Sequence, residues 1–196
     1  MQLPGVIRGA LAGLRVLLLE LRPATLEQIP LSALLRQLAE AMSTRAKVPI
    51  AVRLHGKGAS DGVDDAEPAL PPAVKMVFYR VAQEALMNAA KYAKARAISV
   101  QLRTRGAGKD RGTSIRGNGT QGTWSTIELE IGDDGRGFDP SAVLAGHFGL
   151  AIMRERAHAV GATVQVRSQP GQGTQIVAAW RSGRGNRRAR QAAALP

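Results

Sequence analysis

Apolar residues recur along this chain with two periods, and the change from one to the other divides it into elements. Leu11, Leu14, Leu18 and Leu21 fall at the three- and four-residue spacing of a helical face, which Pro23 ends. A second stripe, Leu31, Leu34, Leu35, Leu38 and Met42, predicts a helix from just after Pro30 to about Thr44. Ile50 to Leu54 is a short strand candidate, and the acidic, Pro- and Gly-rich stretch 56–72 reads as a loop. The strongest helical signal runs from about Pro72 to Tyr92, where Val74, Val77, Phe78, Val81, Ala85, Leu86 and Ala89 make a continuous apolar face.

Beyond this helix the period drops to two. Ile98, Val100 and Leu102 alternate as one strand; Ile127, Leu129 and Ile131 alternate against Glu128 and Glu130 as another with one solvated face. A glycine-dense loop spans 132–148. Leu150, Met153, Ala157 and Val160 mark a further helix closed by Gly161. Val164 and Val166, then Ile176 and Val177, form two strands joined through Pro170, Gly171, Gln172 and Gly173 as a hairpin. Strands adjacent in sequence argue against a doubly wound parallel sheet. The order predicts an α+β fold: a two-layer α/β sandwich, a mixed sheet with helices on one face, preceded by an N-terminal helical arm.

Composition narrows the picture. Hydrophobic residues make up 44% of the 196, enough for a core, but aromatics only 4%, so Leu, Val, Ile and Ala must build it. Without cysteine there are neither disulfides nor thiolate metal sites. The leucine-rich stretch 9–21 is interrupted by Arg15 and Glu20 and falls well short of the roughly 20 apolar residues of a spanning helix. No export signal is recognisable, so a cytoplasmic chain without a membrane segment is expected. The net charge of +12 raises the question of nucleic acid. Its excess is concentrated in a Gly/Ala-rich tail (Arg181, Arg184, Arg187, Arg188, Arg190) and in a Gly/Ser/Thr-rich segment (Arg103, Arg105, Lys109, Arg111, Arg116), both of which read as unfolded. Such charge supports only nonspecific, salt-sensitive contact, and no specific nucleic-acid partner is expected.

Three polar constellations interrupt the apolar pattern. On the long helix, in QEALMNAAKYAKA, Glu84 and Asn88 lie one turn apart on one face, with Lys91 and Tyr92 following. A carboxylate and an amide so placed suit a hard cation that keeps its waters. Taken alone, they read first as a solvated face. The second, GDDGRGFDP at 132–140, follows a strand. Asp133 can accept a hydrogen bond from an exocyclic amine, and Gly135 and Gly137 allow backbone to approach a ring or phosphate. A plain turn or a calcium-type loop also accounts for it, although the acidic spacing does not fit an EF-hand. The third, GHFGL at 146–150, opens a helix whose free N–H groups make an anion site. Gly171, Gly173 and Thr174 add a second glycine turn, which hairpin geometry alone explains.

Together and in this order, these elements resemble the ATP-binding domain shared by gyrase, the Hsp90 chaperone, histidine kinases and the MutL mismatch-repair proteins. QEALMNAAKYAKA is similar to the N box, DDGRGF and GHFGL to the two glycine boxes, and GQGT to the terminal glycine-threonine element. The run GLAIMRERAHAVGATVQVRSQPGQGT resembles histidine kinases paired with NarL-type response regulators, and LLLELRPATLEQIPLSALLRQL the end of their dimerisation helix and its link into the ATP domain.

The resemblance implies a Bergerat-type fold that binds ATP and Mg2+. It makes Glu84 and Asn88 the catalytic pair, with Asn88 the magnesium ligand. Asp133 becomes the adenine-reading carboxylate, Gly135 and Gly137 the pocket floor, and Gly149 and Leu150 the phosphate end. Thr174 supports the adenine end, while Lys91, Tyr92, Phe138 and His147 complete the nucleotide contacts. Tyr92 stands where many relatives carry histidine, and Asp134 where Asn is frequent; the stretch between Phe138 and Gly146 corresponds to the lid.

The implied organisation is a residual dimerisation and linker helix over 1–45, an ATPase domain over 46–181 with a polar insertion at 104–123, and a basic tail over 182–196. The implied activity is that of a two-component sensor histidine kinase. A homodimer or partner kinase chain would dock on the N-terminal helix, and a NarL-type response regulator would receive the phosphate.

An acceptor histidine on a helix followed by an acid is missing. His55 ends near a loop, His147 lies in the second glycine box, and His158 precedes Ala159. The expectation is therefore a chain cut off upstream of its phosphoacceptor, for which autophosphorylation alone is not expected. Two other readings stay open: a serine kinase of the anti-sigma-factor type, which needs no internal histidine, and a non-catalytic nucleotide-binding or interaction module.

Overall fold

A computed structural model of the protein describes residues 29–55, 70–105, 126–140 and 148–182. The N-terminal arm, the acidic loop, most of the polar insertion and most of the basic tail expected above lie outside these residues; Arg181, read with that tail, instead ends a strand of the sheet.

Pro30, which cannot donate to a preceding turn, opens α1 (Leu31–Ala46). Lys47, in the left-handed region at φ 56°, ends it. The leucine stripe faces inward: Leu31, Leu34, Leu35 and Leu38 are all buried, each contributing on the order of 2 kcal/mol. Strand β1 (Ile50–His55) follows, then α2 (Pro72–Asn88), which begins with a proline at its first position. The Lys75 ammonium donates to the Ile29 carbonyl at 3.0 Å, tying the entry of α1 to α2. The leucines of α1 share one hydrophobic cluster with α2 and the sheet. A boundary near residue 45 therefore does not divide two cores.

The remaining elements are β2 (Ile98–Arg105), β3 (Thr126–Asp133), α3 (Phe148–Ala159), β4 (Ala162–Ser168) and β5 (Thr174–Arg181). The five strands form one mixed sheet in the order β1-β2-β3-β5-β4. β1 and β2 run parallel because α2 carries the chain back between them; the other neighbours are antiparallel. β5 is inserted between β3 and β4, so α3 crosses over a strand added later.

Alternation assigns the two faces of the sheet. Ile98, Val100, Leu102, Ile127, Leu129, Ile131, Ile176, Ala178 and Trp180 are buried beneath the helices, against Val74, Phe78, Val81, Ala82, Ala85 and Leu86 of α2. The opposite face carries polar cross-strand pairs. Arg103 donates to Glu128, directly opposite, and to the diagonal Glu130, each at 3.0 Å, and to Gln101 at 2.9 Å. This corrects the assignment of Arg103 and Arg105 to an unfolded segment: both belong to β2, and Arg103 has carboxylate partners that fall 25 and 27 residues later in the chain. Among the described residues no helix is long and apolar enough to cross a membrane.

Candidate functional site

Glu84 and Asn88 lie at the end of α2, where the helix changes character. Asn88 Nδ2 donates to Glu84 Oε1 at 3.1 Å across one turn, leaving the Asn88 amide oxygen, the atom suited to a hard cation, for another partner. The α-helical pattern stops at Asn88, and Ala89–Ala93 form a π-helical turn closed by Lys94 at φ 52°. The sequence expectation of a uniform helix to Tyr92 is corrected here. A π turn keeps the same apolar face within a residue or so, and hydrophobic spacing does not report it. Lys91 and Tyr92 lie on this turn and are exposed, Tyr92 by 53%.

Asp133 is the last residue of β3, in register with Ile98 on one side and Thr174 on the other. It follows Ile127, Leu129 and Ile131 in the alternation and so belongs to the helix-covered side of the sheet. Its Oδ1 accepts the Gly135 N–H at 2.9 Å. Burial pushes its pKa up; hydrogen bonds from the Gly135 and Thr174 backbone oppose that rise, and the neighbouring Asp134 charge adds to it. A half-buried carboxylate held by backbone donors is suited to accepting from an uncharged amine.

The loop after Asp133 is clamped on both sides. The Arg136 N–H donates to the Ala93 carbonyl at 2.8 Å, and Gly135 lies so close to Ala93 that a methyl group would meet its Cβ at 2.7 Å. On the other side the Gly171 N–H donates to the Arg136 carbonyl at 2.7 Å. Gly137, at φ 58°, leaves no room for a side chain against the Gln169 and Gly173 carbonyls. Gly137→Ala is therefore expected to lower stability by about 2 kcal/mol, from left-handed strain and backbone overlap together. Thermal unfolding reads this directly, and an unchanged midpoint would contradict the packing described.

Sequence reasoning overlooked Ser168. Its hydroxyl donates to the Gly173 carbonyl at 2.8 Å, lies 3.1 Å from Thr174 Oγ1 and accepts the Phe138 N–H at 3.0 Å. With its one proton committed to Gly173, Ser168 takes the Thr174 hydroxyl as a donor. It thus links the loop at Phe138 to the Gly173–Thr174 turn. A single hydroxyl two residues before a Pro-Gly turn was its only mark in the sequence.

The first turn of α3 closes the arrangement. A methyl at Gly149 would run into the Glu84 carboxylate, so the start of α3 and the polar face of α2 share one space. Leu150 is half-buried against the core. His147 lies outside the described residues. The structure thus sets Gly149 against Glu84, beside Asn88, and packs the loop 133–138 between Ala93 and the 168–174 turn; Lys91 and Tyr92 are exposed on the π turn that joins the two groups. A groove of about 900 Å3 borders the same strand ends; its lining includes Ala51, Ser99 and Gly132 of the uncovered face, behind Asp133 as seen from α2.

Residues 73–183, more than half of the chain, match the family described as histidine kinase-, DNA gyrase B-, and HSP90-like ATPase. The chain belongs to this family. The chain is 31% identical over 163 residues to the sensor histidine kinase LiaS of Bacillus subtilis (strain 168), a match covering 83% of this chain and 37% of LiaS. It is 35% identical over 167 residues to a sensor-like histidine kinase of Chloroflexus aurantiacus, covering 83% of this chain and 24% of that protein. The chain thus spans well under half the length of these relatives. The crystal structure of full-length ShkA in complex with AMPPNP shares the fold, with a TM-score of 0.51 and 22% identity over 77% of this chain and 30% of that one. The α+β fold expected from the sequence is the one found, and the domain is an ATP-binding catalytic domain of the histidine-kinase kind.

Proposed function

We propose that this chain binds Mg-ATP between Asp133 and the end of α2 and presents the γ-phosphate to a histidine carried by another segment or chain, as the kinase step of a two-component phosphorelay. One observation carries the reading: the end of α2, the glycine loop after β3, the start of α3 and the β4–β5 turn converge, although up to 90 residues separate Glu84 from Thr174.

Each group has work to do in such a pocket. Asp133 accepts from the adenine amine; Gly135 and Gly137 let the loop that follows pack against Ala93 and the 169–173 turn, and Thr174 with Ser168 holds that end in place. Guanine would oppose its carbonyl oxygen to the Asp133 carboxylate, so adenine is selected by repulsion of its rival as well as by attraction. The N-terminus of α3 at Gly149 and Leu150 offers free N–H groups to the phosphates. Lys91, Tyr92, Phe138 and His147 are assigned to the rim.

Among the described residues no cluster of three acidic or histidine side chains could hold a metal by itself. That fits magnesium, which prefers one or two protein oxygens together with water and phosphate. The Asn88 amide oxygen, oriented by Glu84, is the protein ligand in this reading. Magnesium, when bound there, supplies positive charge to the phosphate oxygens. The protein contributes position and fixed dipoles, and phosphoryl transfer asks for little else.

The proposal extends to the rest of the chain. Residues 1–45 provide the link to a dimerisation helix and so to a second copy or a partner kinase chain, 46–181 form the catalytic unit, and a NarL-type response regulator in the cytoplasm receives the phosphate.

Incubation of the full chain with γ-labelled Mg-ATP and a separate histidine-bearing dimerisation domain from a sensor kinase tests this reading. Acid-labile, base-stable label on that domain is the expected result. Acid-stable label on a serine of a supplied partner would replace it with the serine-kinase reading, and nucleotide binding without any transfer would leave a binding module only.

A further inference from the structure

Asp134 has a place in the fold that neither the nucleotide contacts nor the core explains. Its side chain is exposed, and yet Oδ1 accepts two consecutive backbone N–H groups, from Arg96 at 2.7 Å and Ala97 at 2.9 Å. Its own N–H donates back to the Ala97 carbonyl at 3.3 Å. Both donors lie in the turn that leaves the π-helical end of α2, two and three residues after Lys94 takes its left-handed conformation. Such a turn aims successive N–H groups at one point, and a carboxylate there collects both. These hydrogen bonds hold the carboxylate below its usual pKa range.

The next residues complete a zipper between the same two segments. Arg136 donates to Ala93, and Gly135 packs on Ala93 too closely to admit a side chain. One segment leads directly from Asn88, and the other directly from Asp133. A π turn is rare, and here it forms the end of α2. The contacts across Ala93–Ala97 and Asp133–Arg136 are what surround it here.

We propose that Asp134 is a positioning residue: its carboxylate locks the turn after α2 onto the glycine loop and thereby fixes the separation of Asn88 from Asp133, the metal and adenine ends of the pocket. This inference rests on the nucleotide reading of that pocket. Asp134 does not touch the nucleotide; it acts through the backbone. An exposed aspartate without such a task would tolerate replacement with little effect.

The test is calorimetric titration of the full-length wild type, Asp134→Ala and Asp134→Asn with Mg-ATP, together with amide hydrogen exchange of the nucleotide-free proteins. Alanine removes the acceptor, whereas asparagine keeps an oxygen in the same position. Asp134→Ala is expected to bind about tenfold more weakly, and Asp134→Asn to stay close to wild type. In the alanine variant the amides of Ala97 and Arg136 should exchange faster while those of β3 and β5 keep their protection. Wild-type affinity in Asp134→Ala, or an equal loss in the asparagine variant, would overturn the proposal. Should the wild type itself bind no Mg-ATP, the nucleotide reading fails, and unchanged exchange at Arg136 in Asp134→Ala would then sink the clamp independently.

Discussion

Asp133→Asn is expected to weaken ATP binding by about 100-fold or more while leaving the fold intact. The wild-type carboxylate offers acceptors on both oxygens. One takes the Gly135 N–H, and the backbone of Thr174 also donates to the group. An amide of the same shape has a single acceptor. If its oxygen keeps Gly135, its nitrogen is turned toward the adenine amine, donor against donor; if it rotates, Gly135 is left unpaired. Either way a polar group in a half-buried site loses its partner, which is where discrimination is strongest. The unliganded protein should not suffer in the same measure. The fold raises the pKa of Asp133, so its charge opposes folding at neutral pH, and a neutral residue relieves that cost. The same sign governs acidity. As pH falls through the raised pKa, Asp133 gains a proton, its opposition to folding disappears, and ATP affinity declines at a higher pH than an ordinary aspartate would give. Calorimetry and thermal melts across the acidic range measure both, and tight ATP binding by Asp133→Asn would refute the role.

Asn88→Ala should reduce phosphoryl transfer by about 1000-fold and leave magnesium-free nucleotide binding unchanged. Alanine is the best helix former, so α2 is not expected to weaken. What disappears is the amide oxygen that Glu84 orients through its hydrogen bond to Nδ2. Without that oxygen the metal would be held by phosphate and water beside a Glu84 carboxylate that has lost its partner, and would be free to shift relative to α3. Asn88→Asp, which retains an oxygen, should recover part of the activity. Transfer rates to a supplied histidine domain, set beside affinities with and without magnesium, check this. A variant that transfers at the wild-type rate would remove Asn88 from the machinery.

The helices and strands were legible because their burial is periodic. The stripe from Leu31 to Met42 and the alternation of Ile127, Leu129 and Ile131 each match the face that the fold buries. Glu84, Asn88 and Asp133 stood out for the opposite reason, as polar positions breaking an apolar rhythm, Asp133 next to glycines. What stayed hidden depends on contacts between residues distant in sequence. Nothing in the run AAKYA marks a π turn, because its spacing shifts by a single residue. The insertion of β5 between β3 and β4 is a matter of pairing partners, which alternation does not encode. Arg103 looked like part of a loose basic segment until its partners on β3 were in place. Asp134 read as a mild variation beside Asp133, since the N–H groups it binds belong to Arg96 and Ala97, nearly 40 residues earlier.

A single titration bears most directly on the pocket: Mg-ATP, and in parallel Mg-GTP, into the folded wild-type chain. Saturable binding of ATP with clear preference over GTP is the expected result, since in the same orientation adenine turns its 6-amine toward Asp133 and guanine its 6-carbonyl. No heat of binding from folded protein, or equal affinity for the two purines, would contradict it.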